Sequence, residues 1–129
     1  MVQKHSNIEV IEDMTLTYLE NEDNYLMADI IDNEIVGFLL AYTLQRCDGK
    51  NAMIYVHEVN VLSEHRKKGV GGSLLNALKV ICKEKNIMKI FLLTNKSNEP
   101  AVKLYESVGG VFSETDDVLY VFNKETFNG

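Results

Sequence analysis

Residues 54–85 constrain this chain more than any other stretch. IYVHEVNVL (54–62) alternates apolar residues, and HRKKGVGGS (65–73) sets three cations against three glycines. LLNALKVICKEK (74–85) then repeats apolar residues at helical spacing, at Leu74, Leu75, Leu78, Ile81 and Cys82. A strand, a glycine turn and a helix follow one another without a break. The helix carries the chain back along the sheet, so the next strand, KIFLLT (89–94), is expected parallel to the first through a right-handed crossover. Its nearly unbroken apolar run suits a buried parallel position. Cations beside the N–H groups of a helix start are the parts of a phosphate site.

The rest of the chain surrounds this unit with antiparallel elements. DMTLTYLEN (13–21) reads as a helix with Asp13 as N-cap, and NIEVI (7–11) could pair as one short strand. Tyr25–Ile31 and Ile35–Thr43 are strands joined at Asp32-Asn33, a hairpin turn, and Asp48-Gly49 marks a second turn. Asn86 stands where a left-handed residue would close the long helix. In NKSNEPAVKLYESVGG (95–110), Pro100 suits a first helical turn, Leu104, Tyr105 and Val108 share a face, and Gly109 ends the helix. Two last strands are expected near 111–114 and 118–123. The expectation is an α/β (α+β) fold with a mixed, mainly antiparallel sheet, a central parallel strand–helix–strand unit and flanking helices.

At 129 residues the chain is long enough for one core, so residues 1–129 are read as a single domain. The longest apolar run, IVGFLLAY (35–42), is too short to span a bilayer, and the first residues lack an apolar signal-peptide region. The expected location is the cytoplasm, with no membrane partner. Cys47 and Cys82 have no metal-site spacing and suggest no disulfide framework. The net charge of −6 argues against nucleic acid as a partner. That charge is uneven: residues 1–58 hold eleven acids and three bases, residues 59–129 eight acids and ten bases. Two ligands of opposite charge would account for the asymmetry, and so would ordinary solvated surface.

The glycine turn is neither GxxxxGK[ST] nor GxGxxG. Arg66-Lys67-Lys68-Gly69-Val70-Gly71 instead matches [QR]xxGx[GA], and Asn98, Ala101 and Tyr105 follow as N-x-x-A-x-x-x-Y. In this order the motifs resemble those of the GCN5-related N-acetyltransferase (GNAT) family, over roughly residues 18–123. IYVHEVNVLSEHRKKGVGGSLLNALK and PAVKLYESVG are similar to stretches of the aminoglycoside 3-N-acetyltransferases within it. Two departures stand out. The resemblance places the start of this chain after the family's first strand and helix, and Gly110 stands where many members carry an aromatic.

The resemblance implies acetyl-coenzyme A as cofactor and direct transfer of acetyl to a primary amine of a small polycationic acceptor, an aminoglycoside foremost. The alternatives are a polyamine, an amino acid, a protein N-terminus, or a catalytically idle coenzyme A-binding remnant. It further implies that amides of Lys67, Lys68, Gly69, Val70, Gly71, Gly72 and Ser73 hold the pyrophosphate, with Arg66 opening the turn. The pantetheine would pair along Val59, Asn60 and Val61, and an N–H of Val59 or Asn60 would polarise the thioester carbonyl. Glu58, a charge midway along an otherwise apolar strand, is the candidate base; positioning a cationic substrate is its other role. Tyr105 is the candidate acid for the departing thiolate, or a core residue of its helix. Asn98 is a cofactor contact or a helix cap. Finally, Tyr25–Ile31 is apolar on both faces and would be left as an open sheet edge. The expectation is a homodimer with its interface in the N-terminal third.

Overall fold

The computed structural model describes residues 20–113 and 115–127. Strands β1 (Asn24–Ile31), β2 (Glu34–Leu44), β3 (Met53–Val61) and β4 (Lys89–Phe91) form one sheet in the order β1-β2-β3-β4. The first three pair antiparallel and β4 joins β3 in parallel. Helix α1 (Val70–Glu84) makes the crossover from β3 to β4, and α2 (Glu99–Ser107) follows β4. The central strand–helix–strand unit and the mixed sheet are those expected from the sequence.

Local chemistry explains most of the boundaries. Asp32 and Asn33 both take positive φ, 52° and 64°, the pairing that lets a two-residue turn follow the twist of a hairpin. Asn86 takes φ 55° just past α1, and Gly109 takes φ 97° just past α2. The core lies between the sheet and α1. Tyr25, Met27, Leu39, Ala41, Ile54 and Val56 on the sheet meet Val70, Leu74, Leu75, Leu78 and Cys82 on the helix, all buried. Burial raises the Cys82 thiol above its ordinary value, and only the thiolate is reactive. At pH 8 a thiol reagent should therefore modify exposed Cys47 quickly and Cys82 only once the chain unfolds. Two equally fast thiols would contradict this core.

The structure departs from expectation in three places. The strand foreseen over 89–94 ends at Phe91, because the chain turns away from β3 toward α2. Among the described residues no strand forms at 111–113 or 118–123. Val111, Val118, Leu119, Tyr120, Val121 and Phe122 are 67–88% exposed there. A β-prone sequence expresses fit to a half-buried surface, and this segment has no such surface beneath it. The third concerns β1. Tyr25, Leu26, Met27 and Ala28 are 1–7% exposed, so both faces of this strand are covered in large part. The apolar side chains are thus covered, while β1 remains the terminal strand of the described sheet, the position from which a dimer was expected. The helix expected over 13–21 lies outside the described residues except at its end, where Glu20 is helical, and NIEVI (7–11) lies wholly outside them.

Candidate active site

The sheet opens at one point. β3 pairs with β4 only at Met53–Lys89, Ile54–Ile90 and Tyr55–Phe91, yet it runs on to Val61. Beyond Tyr55 the side of β3 that faces β4 has no strand beside it among the described residues. The C-terminal ends of both parallel strands point into this opening, and each leads into a helix start: β3 into α1, β4 into α2. Open α/β sheets bind ligands in such crevices.

The start of α1 is built from the glycine turn. After a 3-10 turn at Ser63–His65, Lys67 takes φ 62° and Gly69 φ 85°, so two left-handed residues flank Lys68. Gly69 is the N-cap and no side chain caps the helix. Ser73 donates its N–H to the Gly69 carbonyl at 2.9 Å, which leaves the N–H groups of Val70, Gly71 and Gly72 without a helical acceptor. The first turn holds no acid, and Lys67 and Lys68 stand just before it. Positive dipole, unspent donors and two cations coincide here. Arg66 is tied back instead: its Nε donates to the Val61 carbonyl at 3.2 Å and fixes the turn to the end of β3.

Gly71 is buried, and a Cβ there would lie 2.8 Å from Leu104 Cδ2 of α2. Its missing side chain thus serves the approach of the two helices. Lys79 Nζ donates to the Val108 carbonyl at 2.8 Å and closes the same contact farther along. On α2, Asn98 is the N-cap, accepting from the Ala101 N–H at 3.3 Å. Tyr105 is half-buried and packs against the core cluster, and burial holds its phenol above the ordinary value of 10.0. It keeps its proton at neutral pH and remains a donor.

Glu58 is half-buried midway along β3, with Asn60 Nδ2 donating to its Oε2 at 3.4 Å. Its setting depends on a bulge. Ala41 pairs with Val56 and Leu40 with Glu58, so His57 is an extra residue without a partner in β2. A regular strand would put His57 on the face opposite Glu58. The bulge brings both to the face that also carries Tyr55 and Tyr42. His57 Nδ1 lies 3.4 Å from the Tyr55 hydroxyl, and its ring meets those of Tyr55 and Tyr42 edge-on at 5.8 and 6.0 Å. Phe91 extends this aromatic group across the last β3–β4 pair, 5.3 Å from Tyr55. Val59 and Val61 face the other way, into the core.

The aromatic group escapes a motif search, but the phase slip that makes it is written in the sequence. Apolar positions fall at 54 and 56, then at 59 and 61. A polar cavity lined by Asp23, Thr43, Gln45 and Lys85 lies beneath the far end of α1. It is about 20 Å from the glycine turn, the length of a helix of this size.

Set against known proteins, the chain matches the Acetyltransferase (GNAT) family over residues 3–110. An N-alpha-acetyltransferase of Saccharolobus solfataricus is 30% identical over 86 residues, 61% of this chain and 52% of the relative. The chain thus spans about half the length of that protein. An aminoglycoside acetyltransferase from an uncultured soil metagenomic sample, solved with trehalose, superposes with a TM-score of 0.77 at 22% identity, covering 93% of this chain and 80% of that one. A second soil metagenomic aminoglycoside acetyltransferase superposes with a TM-score of 0.72 at 27% identity over 85% of this chain and 74% of that one. The fold is the one shared by acyltransferase domains. The chain belongs to the GNAT family of acetyltransferases.

Among the described residues no helix is long and apolar enough to cross a membrane, and no cluster of His, Cys, Asp and Glu could hold a metal.

Proposed function

We propose that the chain transfers acetyl from acetyl-coenzyme A to a primary amine of a small polycationic acceptor, an aminoglycoside being the first candidate, as a single cytoplasmic domain. The observation that carries this reading is the uncapped, acid-free start of α1, set where β3 and β4 part. Coenzyme A would supply the acetyl group as a thioester. Amides of Val70, Gly71 and Gly72, with Lys67, Lys68 and the turn up to Ser73, would hold its pyrophosphate. The unpaired edge at Val59–Val61 would hold its amides as an added strand does.

Transfer forms a C–N bond to the amine and breaks the C–S bond. Glu58 accepts the proton that the amine must lose. An N–H of Val59 or Asn60 donates to the carbonyl oxygen, and Tyr105 gives its proton to the departing sulfur. The raised phenol suits that last role, since Tyr105 stays protonated throughout the range in which amines are acetylated. The carboxylate of Glu58 beside an apolar and aromatic surface suits an acceptor with an amine on a ring or chain. A protein N-terminus is the second reading, favoured by the similarity to the N-alpha-acetyltransferase of Saccharolobus solfataricus. We include a homodimer in the proposal, as the assembly in which the domain works.

Calorimetry with coenzyme A, followed by thiol release with aminoglycosides, polyamines, amino acids and N-terminal peptides, tests this. Coenzyme A binding with turnover on aminoglycosides alone is expected. Turnover only on peptides would favour the second reading, and binding without turnover an idle remnant. Tyr105→Phe should slow turnover about 100-fold or more, the low end of the range for loss of an acid, with cofactor affinity little changed. In the parent protein this step should hold up to pH 10 and fail only above it, where the phenol begins to ionise. The same sign applies to stability. Burial favours the neutral phenol, so this contribution is complete below pH 10 and is lost as the pH rises through the folded value. A wild-type rate in Tyr105→Phe would leave Tyr105 a packing residue.

A further inference from the structure

The rings on the face of Glu58 lie outside the core. Tyr42 of β2, Tyr55 of β3 and Phe91 of β4 pair across three strands and make one rung of the sheet. Tyr42 and Tyr55 are near parallel, at 18° with centroids 6.5 Å apart, and Phe91 follows at 31° and 5.3 Å. Ile54 and Val56 point the other way, into the core under α1, and the row takes no part in that packing. Phe91 is 36% exposed and Tyr55 is half-buried. His57, edge-on to both tyrosines and 3.4 Å from the Tyr55 hydroxyl, holds the rings in place. Glu58 stands two ladder steps away, since it faces Leu40 while Tyr55 faces Tyr42. Two residues of a strand rise about 7 Å.

A polycationic acceptor brings one amine to Glu58, and its other ammonium groups need partners as well. In the paired stretches of β2 and β3 (37–44 and 53–61) and in β4, Glu58 is the only acid. What the face offers instead is ring surface, which attracts a cation within about 6 Å of the ring centroid. We propose that Tyr55 and Phe91, flanked by Tyr42, hold a second ammonium of the acceptor about 7 Å from the amine that reacts at Glu58. The proposal rests on the transferase reading and narrows its acceptor class to amines with two cationic groups at that spacing. Lys89 sets the far limit. It lies on the same face two residues before Phe91, where a longer polycation would bring a like charge against it. Charge at longer range agrees. Residues 1–58, which supply Tyr42, Tyr55 and Glu58, hold eleven acids and three bases, a bias that draws polycations toward this part of the chain.

Linear diamines of rising length, each beside the monoamine of equal length, test this on the full-length protein by ring-proton NMR and by acetylation kinetics. The ring shifts need no turnover. A diamine with its nitrogens about 7 Å apart should move the Tyr55 and Phe91 resonances and show a KM about fivefold below that of its monoamine, the size of one partly exposed cation–π contact. Shorter and longer diamines should lose that preference. Tyr55→Leu and Phe91→Leu, both outside the core, should each weaken it, whereas Tyr55→Phe keeps the ring face and should retain it. Diamines and monoamines that bind alike, or a preference that survives both leucines, would overturn the subsite. Acetylated aminoglycosides that leave the Tyr55 and Phe91 resonances unmoved would overturn it too, while the transferase reading stands. Shifted rings with no amine acetylated would keep the cation subsite and defeat the transferase reading.

Discussion

Replacing Glu58 by glutamine is expected to lower kcat by about 100-fold or more at neutral pH, the loss typical of removing a general base. The substitution keeps the shape of the side chain and its contact with Asn60 Nδ2, so the strand should not shift. The two roles open to Glu58 separate cleanly. A base that is lost lowers kcat, and raising the pH restores part of the rate because more of the acceptor amine is already neutral. An acid that only holds a cation leaves kcat alone and raises KM. The bulge gives a further check, because His57 shares the face of Glu58. If His57→Gln costs as much as Glu58→Gln, the imidazole carries the proton and the carboxylate supports it.

The second large effect is expected at the glycine turn, where two neighbouring glycines should behave differently. Gly72 has room for a side chain, its nearest neighbour being Val108 Cγ1 at 3.7 Å. Gly72→Asp puts a carboxylate into the first turn of α1, where it favours the helix dipole and opposes a phosphate. Coenzyme A affinity should fall at least tenfold, about 1.4 kcal/mol, with no loss of thermal stability. Gly71→Ala should do the reverse, because its Cβ would meet Leu104 at 2.8 Å. Overpacking of this kind typically destabilises by 1–3 kcal/mol, about what is expected here, and Leu104→Ala in the same chain should relieve part of it. Unchanged affinity in Gly72→Asp, measured by calorimetry, would move the phosphate site elsewhere.

These two glycines also show where sequence reading stops. HRKKGVGGS reveals that the backbone must be bare, because strand, turn and helix periodicities meet there. It cannot say what each bare position approaches. Gly69 has a left-handed φ, Gly72 faces a gap and Gly71 touches a helix thirty residues on. Only the packed structure separates them. The hairpin at Asp32-Asn33 and the ends of both helices were readable because their causes are local, a turn geometry or a left-handed cap. Asn98 was readable only as a pair of roles, and its side-chain Oδ1 is used on the Ala101 N–H. The strands expected near 111–114 and 118–123 do not form among the described residues, for the opposite reason. Their residues suit a sheet, but whether a neighbouring strand is available depends on the rest of the molecule, a matter that composition does not encode.

The bulge at His57 bears on how this strand tolerates change in length. Removing one residue from a regular strand turns every later side chain over, exchanging buried for exposed. β3 holds one residue in surplus, since Val56 and Glu58 already face consecutive partners in β2. Deleting His57 would close the ladder without inverting anything. Glu58 would still face Leu40, and Val59 and Val61 would still enter the core. The strand thus contains a position that can be gained or lost without redesign of the fold. That makes its rim adjustable by single-residue insertion, and a chain of this kind can acquire or discard an imidazole beside its carboxylate in one genetic step.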